Sequence, residues 1–496
     1  MSADSRVFGV LNLFVAKLLR APLWLALSAV LARVLEPQGL GTWSMILAAA
    51  MFLNQSLLHW TQAVTQRFGR REWLDARGLG QTLSLRALLL APGWGLVCLL
   101  LLIQPFNWPE RFYGLDTAEA WFVLPMVMAL WLMAEVQGVQ QVREHFGRLA
   151  WSPLVADLAM LGALAILAWR FRGGVADHRS TVFLILSLVG VTVWLLWLTS
   201  EARGIDMRWH SPDRQALRRA ASFATPMIPG FLIGYLSEWG DYFLIRHFYS
   251  ETEVGFFHPA YQYLLIMVGL PTALASVILP RLVAASDHDG GSSLRQLLTR
   301  HAAQFGVLWG LGALLVAAVL PALFAFLVGG RYPVSVSLLQ VMAIAIPGAV
   351  FQHVYGVAYF VQGRLGVANL LFFGIKIALN LALSFWLLPR VGVLGSAIGC
   401  GVSYLALQWL FVLDQHHFLK IRFGNAEWSL LFVQLAGIIL FFANDLAARL
   451  LVASLEIAFL LLWTRRAGFF SPAEIDRAIP PRLGRLVRPA RCLLCR

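Results

Sequence analysis

Long apolar segments recur along the whole chain, and no other feature restricts the possible folds so strongly. A helix needs about 20 mostly apolar residues to cross the hydrocarbon core of a bilayer. The composition agrees, because 59% of the residues are hydrophobic and only 13% are charged, whereas soluble domains carry about 25% charged residues. We therefore predict an all-α polytopic membrane protein with fourteen spans, at approximately 8–32, 42–66, 83–104, 119–142, 147–169, 180–200, 221–247, 254–283, 302–328, 334–361, 366–388, 391–413, 427–444 and 446–464.

The formal net charge of +13 does not indicate nucleic acid binding, because the positive charges lie between apolar segments rather than in a charge-rich soluble domain. Positive residues between spans favour the cytoplasmic side of a membrane. With the N-terminus in the cytoplasm, 27 Lys and Arg residues fall on the cytoplasmic side and 9 on the other. We expect a multi-pass protein of the bacterial inner membrane with both termini in the cytoplasm.

Two short stretches of the chain resemble each other. "ARVLEPQGLGTW" (32–43) follows the first span and "IRHFYSETEVGFF" (245–257) follows the seventh, and each carries an Arg, an acidic turn, a Gly and aromatic residues. Such internal similarity is typical of transporters built from repeats. We predict two pseudo-symmetric six-helix bundles at 1–200 and 221–415, an amphipathic cytoplasmic linker at 201–220, two additional helices at 416–464 and a basic cytoplasmic tail at 465–496.

Polar residues inside the predicted spans recur at helical spacing. Charged groups at this depth cost about 2.5–3.5 kcal/mol on insertion scales and usually face a protein interior or a wet cavity. Two interpretations stay open for each residue: hydrogen bonding between helices, or the wall of a central hydrated cavity; for Lys17 and Arg20, snorkelling to the membrane surface is a third. Taken together, the stripes favour a cavity, with candidate lining residues Lys17, Arg20, Gln55, His59, Gln62, Gln352, Tyr355, Tyr359, Lys376 and Asn380.

Four carboxylates also lie within predicted spans: Glu135, Asp157, Glu238 and Asp241. We predict either coupling to proton or sodium movement or structural pairing for them. The sequence has no P-loop, GxSxG or HExxH motif, which argues against an enzyme or an ATP-driven pump on one chain. A single CxxC at Cys492 and Cys495 is a weak zinc signal, so we expect two reduced thiols, no metal site and no cofactor.

Three stretches resemble the Wzx-type oligosaccharide flippases of the polysaccharide transporter family, within the multidrug/oligosaccharidyl-lipid/polysaccharide exporter (MOP) superfamily. They are "LARVLEPQGLGTWSMILAAAMF" (31–52), the proline-rich seventh-helix region at 224–282, and "GGRYPVSVSLLQVMAIAIP" (329–347) continuing into 362–399. The resemblance implies two bundles that alternate access around a cavity. It also implies flipping of undecaprenyl-pyrophosphate-linked oligosaccharide units to the periplasmic leaflet, for exopolysaccharide, capsule or O-antigen synthesis.

The resemblance also implies roles for individual residues. Lys17, Arg20 and Lys376 would attract the pyrophosphate or acidic sugars, and the glutamines and tyrosines would bond sugar hydroxyls. Asp241 stands where the family often has Asp and would be structural, for instance paired with Arg246, whereas Glu238 would couple transport to an ion. The expected partners are the lipid-linked oligosaccharide, membrane lipids, and a polysaccharide polymerase or other synthesis proteins.

Three alternatives remain. A cation-coupled drug or toxin extruder would suit a small acidic pocket, against which the basic residues argue. A lipid II flippase belongs to the same superfamily. A membrane subunit of a synthase complex would transport nothing, and the basic tail could dock its partner.

Overall fold

The computed structural model describes residues 3–171, 178–203, 205, 210, 213–272, 292–362, 364, 367–420, 424–443 and 445–470. Helices make up nearly all of these residues, and no β-strand occurs among them, so the predicted all-α class is confirmed. The chain divides into two compact units, Met1–Pro259 and Ala260–Arg496, here called unit 1 and unit 2. The predicted division into two six-helix halves stays a prediction, because compactness does not test a symmetry between helices.

Unit 1 contains the long helix α1 (Ala3–Leu53), which holds the first predicted span and the start of the second. It is kinked at Glu36, whose φ of 59° lies outside the helical region. The kink precedes Pro37, and a residue before proline is driven out of the helical conformation. The other helices of unit 1 are α2 (Arg70–Ala76), α3 (Gly80–Ile103), α4 (Trp108–Tyr113), α5 (Thr117–Ala120), α6 (Val123–Val142), α7 (Phe146–Arg170), α8 (Arg179–Ala202), α9 (Arg214–Ala224), α10 (Ile228–Phe248) and α11 (Glu251–Gly269), with α1 at Ala3–Leu53.

Unit 2 begins within α11. An apolar core joins its first long helix to the two C-terminal helices through buried residues such as Leu314, Val433 and Leu460. The helices of unit 2 are α12 (Ser292–Val328), α13 (Pro333–Ala343), α14 (Ala349–Val361), α15 (Phe373–Val391), α16 (Leu394–Leu419), α17 (Asn425–Phe442) and α18 (Leu446–Ala467), with a π-helical segment at Val367–Phe372 before α15.

Within the described residues, nine helices are long and apolar enough to cross a membrane. The difference from fourteen has local causes. The first two predicted spans fall on kinked α1 and the irregular segment after it, the span at 334–361 is split into α13 and α14, and α17 is shorter than a full span. The predicted span at 254–283 extends into residues 273–291, outside the described part. Cys492 and Cys495 lie outside it too.

The second predicted span ends in an irregular segment rather than a regular α-helix. Two π-helical turns, Asn54–Leu58 and Thr65–Gly69, enclose a 3₁₀ turn at His59–Thr61 and one α-helical turn at Gln62–Val64. Hydroxyl groups satisfy carbonyls in this segment: Ser56 Oγ donates to Phe52 O, and Thr61 Oγ1 donates to Leu58 O over 2.7 Å. Departures of this kind inside helices are frequent at functional sites.

The two similar stretches of the sequence pack against each other in unit 1. A Cβ added at Gly41 would collide with the backbone carbonyl of Glu251, and one added at Gly255 would collide with that of Pro37. The contact is reciprocal, since each glycine meets the residue four positions before the other glycine. Thr42 Oγ1 also donates to Glu251 Oε2 over 3.3 Å. We call this contact the glycine seam.

Candidate functional site

Arg20 and Asp157, both predicted site residues, form an ion pair between α1 and α7. Arg20 Nε donates to Asp157 Oδ2 over 2.6 Å, and Trp24 Nε1 donates to the same oxygen over 2.9 Å. The Arg20 side chain is 35% exposed and that of Asp157 is 11% exposed. Since arginine has five N–H donors and Asp157 occupies only part of them, this guanidinium can bind a second anion.

The predicted face of the second span is broken by the irregular segment. Gln62 is buried and its Nε2 donates to Ala134 O over 2.9 Å, whereas Gln66 is exposed and bonds Gln141 over 2.8 Å. His59 packs edge-on to Phe231, with ring centroids 4.9 Å apart. Gln55 is half-buried. The π-helical turns rotate successive residues away from the regular helix, so these side chains do not share one environment.

Glu135 pairs with Arg86, which was not among the predicted site residues. Arg86 Nη1 donates to Glu135 Oε2 over 2.7 Å. The same guanidinium donates to Thr65 Oγ1 over 2.9 Å and to Thr61 Oγ1 over 3.1 Å. The Arg86 side chain is 1% exposed and that of Glu135 is 8% exposed. This buried pair joins α3, α6 and the irregular segment.

A second carboxylate cluster lies at the ends of α6, α7 and α8. Glu201 is fully buried and accepts from Arg143 over 3.0 Å and from Arg148 over 3.2 Å. His145 Nδ1 lies 3.4 Å from the same carboxylate. Burial, and next the charge of Arg143, lower the pKa of His145 below its usual 6.5, so the imidazole is neutral at pH 7. Two cations thus share one anion here.

The two acids of the seventh predicted span occupy different environments. Glu238 is exposed near the middle of α10, and Asp241 is 2% exposed. Arg246, considered above as a partner of Asp241, donates from Nη2 to Glu251 Oε1 over 3.4 Å. The Arg246 side chain also fills the space over Gly114, whose φ is +67°. Arg246 therefore fixes the turn before α11 and links it to the loop after α4.

In unit 2, the predicted tyrosines of α14 meet acids that were not among the predicted site residues. Tyr355 OH donates to Glu427 Oε1 over 2.9 Å, and His416 Nε2 lies 2.8 Å from the same oxygen. Tyr359 OH donates to Asp414, which also pairs with Arg364 over 3.0 Å. Gln352 is 7% exposed, and its Oε1 makes no hydrogen bond.

Lys376 and Asn380 are both buried on α15, with 1% and 2% exposure. The Lys376 ammonium lies 4.0 Å from the ring centroid of Tyr404 on α16. A cation over an aromatic face gains about 2 kcal/mol or more when desolvated. Lys17 lies on α1, but its side chain is outside the described part. Among the described residues, no group of three or more His, Cys, Asp or Glu could hold a metal ion.

A sequence model of a family described as "Polysaccharide biosynthesis protein" matches residues 30–337. The chain belongs to this family. The match covers more than half of the chain, including the glycine seam, the Arg86–Glu135 pair and Asp157. No curated protein matches the chain significantly.

Solved structures with a similar fold include a flippase and several transporters. The lipid II flippase MurJ, in an inward closed conformation, is 13% identical with a TM-score of 0.68, over 90% of this chain and 97% of that chain. An inward-facing multidrug resistance MATE family transporter of the MOP superfamily is 15% identical with a TM-score of 0.56, over 85% and 95%. The Vibrio cholerae MATE transporter VcmN in its bent form is 14% identical with a TM-score of 0.50, over 83% and 98%. At these identities the likeness concerns the fold alone.

Proposed function

We propose that this protein flips undecaprenyl-pyrophosphate-linked oligosaccharide units from the cytoplasmic to the periplasmic leaflet of the inner membrane by alternating access. The observation that carries the proposal is the polysaccharide biosynthesis family match over residues 30–337. The fold adds support, since proteins with this fold include the lipid II flippase MurJ. Polysaccharide synthesis needs a step that moves lipid-linked sugars across the bilayer, and this chain has a transporter fold.

Arg20, Asp157 and Trp24, here called the Arg20 cluster, support an anionic substrate. A guanidinium presents a rigid fork that suits phosphate oxygens, and Arg20 keeps donors beyond those used by Asp157. Lys17 lies three residues earlier on α1, one helical turn away. We propose that the pyrophosphate binds Arg20 and competes with Asp157 for it. The Asp157 carboxylate, released from Arg20, would then take up a proton, which couples substrate binding to ion movement.

Two related functions differ from this proposal in substrate. A cation-coupled drug extruder would bind its substrate at carboxylates, but Asp157 is neutralised by Arg20 and Glu135 by Arg86. A lipid II flippase would carry the same pyrophosphate on a different saccharide. Arg20 suits both lipid-linked substrates equally, so the saccharide has to be identified by experiment.

The test is transport by the purified chain in proteoliposomes. Fluorescently labelled undecaprenyl-pyrophosphate oligosaccharide would be placed in one leaflet, and its appearance in the other measured by quenching. We expect Arg20→Gln to abolish flipping and Arg20→Lys to retain part of it, while Arg71→Gln, at a side chain that is 89% exposed, retains all of it. Lipid II and a cationic dye serve as competing substrates. Transport of the dye alone, or no dependence on Arg20, would contradict the proposal.

A further inference from the structure

A cavity of about 350 Å³ lies in unit 1 between α3, α6 and α8. Its walls are largely apolar, with Leu90 from α3, Trp131 and Val139 from α6, and Leu198 from α8. The volume is within the range of about 300–1,000 Å³ that is usual for small-molecule sites. The transport proposal assigns no role to this cavity.

The accessible surface of the cavity is almost wholly apolar, although Arg86 and Glu135 contribute to its lining. Their ion pair lies behind this surface, and Arg86 Nη2 is buried there without a hydrogen bond. Because the charged atoms are not accessible from the cavity, an occupant would contact apolar side-chain atoms rather than the ion pair. An apolar chain matches this lining.

The mouth of the cavity opens on an apolar membrane-facing surface. Ala87 and Thr199 line the cavity and are exposed. The neighbouring side chains are apolar and exposed as well: Leu88 at 40%, Leu195 at 48% and Leu196 at 64%. All of these residues lie on candidate membrane spans, so we expect the surface around the mouth to face acyl chains. Arg86 is six residues beyond Gly80, the first residue of α3. At a rise of 1.5 Å per residue, it lies about 9 Å along the helix axis from that residue.

The end of the cavity nearest the helix termini carries positive charge. Ala202 lines the cavity, and its neighbour Glu201 holds Arg143 and Arg148. With His145 neutral, two guanidiniums stand against one carboxylate. The Arg148 side chain is 47% exposed, so it can reach a lipid head group. Basic sites between membrane helices bind anionic lipid head groups.

We propose that this cavity binds an anionic glycerophospholipid of the surrounding bilayer. One acyl chain fills the space between α3, α6 and α8. The head-group phosphate lies at the arginine-rich end, near Arg148. The bound acyl chain packs against all three helices. This site is separate from the Arg20 cluster and does not depend on the transported substrate.

The experiment uses the purified full-length chain in detergent and phosphatidylglycerol with a photoreactive diazirine in one acyl chain. After irradiation, mass spectrometry locates the labelled residues. We expect labels concentrated on 83–90, 131–139 and 198–202, and less labelling by phosphatidylcholine. Ala87→Trp fills the cavity and should remove most of the label, whereas the adjacent Leu88→Trp, which adds the same ring outside it, should not. Arg148→Gln should lower phosphatidylglycerol labelling to the phosphatidylcholine level.

If Ala87→Trp does not fold, Ala202→Phe replaces it, because this ring would fill the cavity from the α8 side. Labels spread evenly over the outward faces of α3 and α8, and unchanged by either filling variant, would overturn the proposal. Displacement of the label by stoichiometric undecaprenyl phosphate would also overturn it, since the cavity would then be a substrate site. Both results are independent of whether the chain flips sugars.

Discussion

The close contact at the glycine seam can be tested by adding a single methyl group to either glycine. Gly41→Ala places a methyl group on the carbonyl of Glu251, and Gly255→Ala places one on Pro37. Because both obstacles are backbone, the two helices must separate, and overpacking of this kind costs about 1–3 kcal/mol. Gly162→Ala on α7 is the matched control, as nothing lies within 4 Å of its added Cβ. That change should stabilise by about 0.5–1 kcal/mol through helix propensity.

The assay is equilibrium unfolding of the purified variants in mixed detergent micelles, followed by tryptophan fluorescence. All three glycines are helical, so the gain in helix propensity is common to the three variants. We expect the free energies of unfolding of the seam variants to lie roughly 1–3 kcal/mol below that of Gly162→Ala. The double variant should lose less than the sum of the two single losses, because the first methyl already opens the seam for the second. Seam variants as stable as Gly162→Ala, or fully additive losses, would refute this description of the contact.

Three further predictions concern buried charges. Arg86→Met or Glu135→Leu alone should destabilise by about 3–5 kcal/mol and the double variant by much less, measured as a double-mutant cycle of unfolding free energies. The pKa of His145 is lowered in the folded state, so its contribution to the free energy of unfolding should be fully present above pH 6.5 and be lost as the pH falls below that value. His145→Gln should flatten this pH dependence in thermal unfolding. Tyr404→Leu should lower stability by about 0.5–2 kcal/mol relative to Tyr404→Phe, and this difference should vanish in a Lys376→Met background.

The helical class followed from the apolar segments, because only helices and closed barrels satisfy their backbone inside a bilayer. The similarity of 32–43 and 245–257 was visible in the sequence, but their packing was not. Close contact needed a glycine on each helix, and the sequence showed a glycine only as one shared feature of the two stretches. Composition could not reveal the reciprocal geometry.

Ion pairing was the least predictable feature. Arg20 and Asp157 are 137 residues apart, and a single sequence does not indicate which cation meets which carboxylate. Arg86 lies near the start of its span, where positive residues often mark the membrane surface, yet Thr61, Thr65 and Glu135 surround it in the structure. The π-helical turns around His59 also depend on packing against other helices, so the regular spacing of Gln55, His59 and Gln62 suggested a continuous face that the chain does not form.

Transport of a lipid-linked oligosaccharide by the purified protein tests the central claim most directly. Proteoliposomes with undecaprenyl-pyrophosphate oligosaccharide labelled in one leaflet should show translocation with the unmodified chain and with Arg71→Gln. Translocation should be lost with Arg20→Gln, while the folded state of that variant is verified by size-exclusion chromatography. Liposomes in which the unmodified chain leaves the labelled lipid in its original leaflet, although the same preparation moves a cationic dye, would contradict the account.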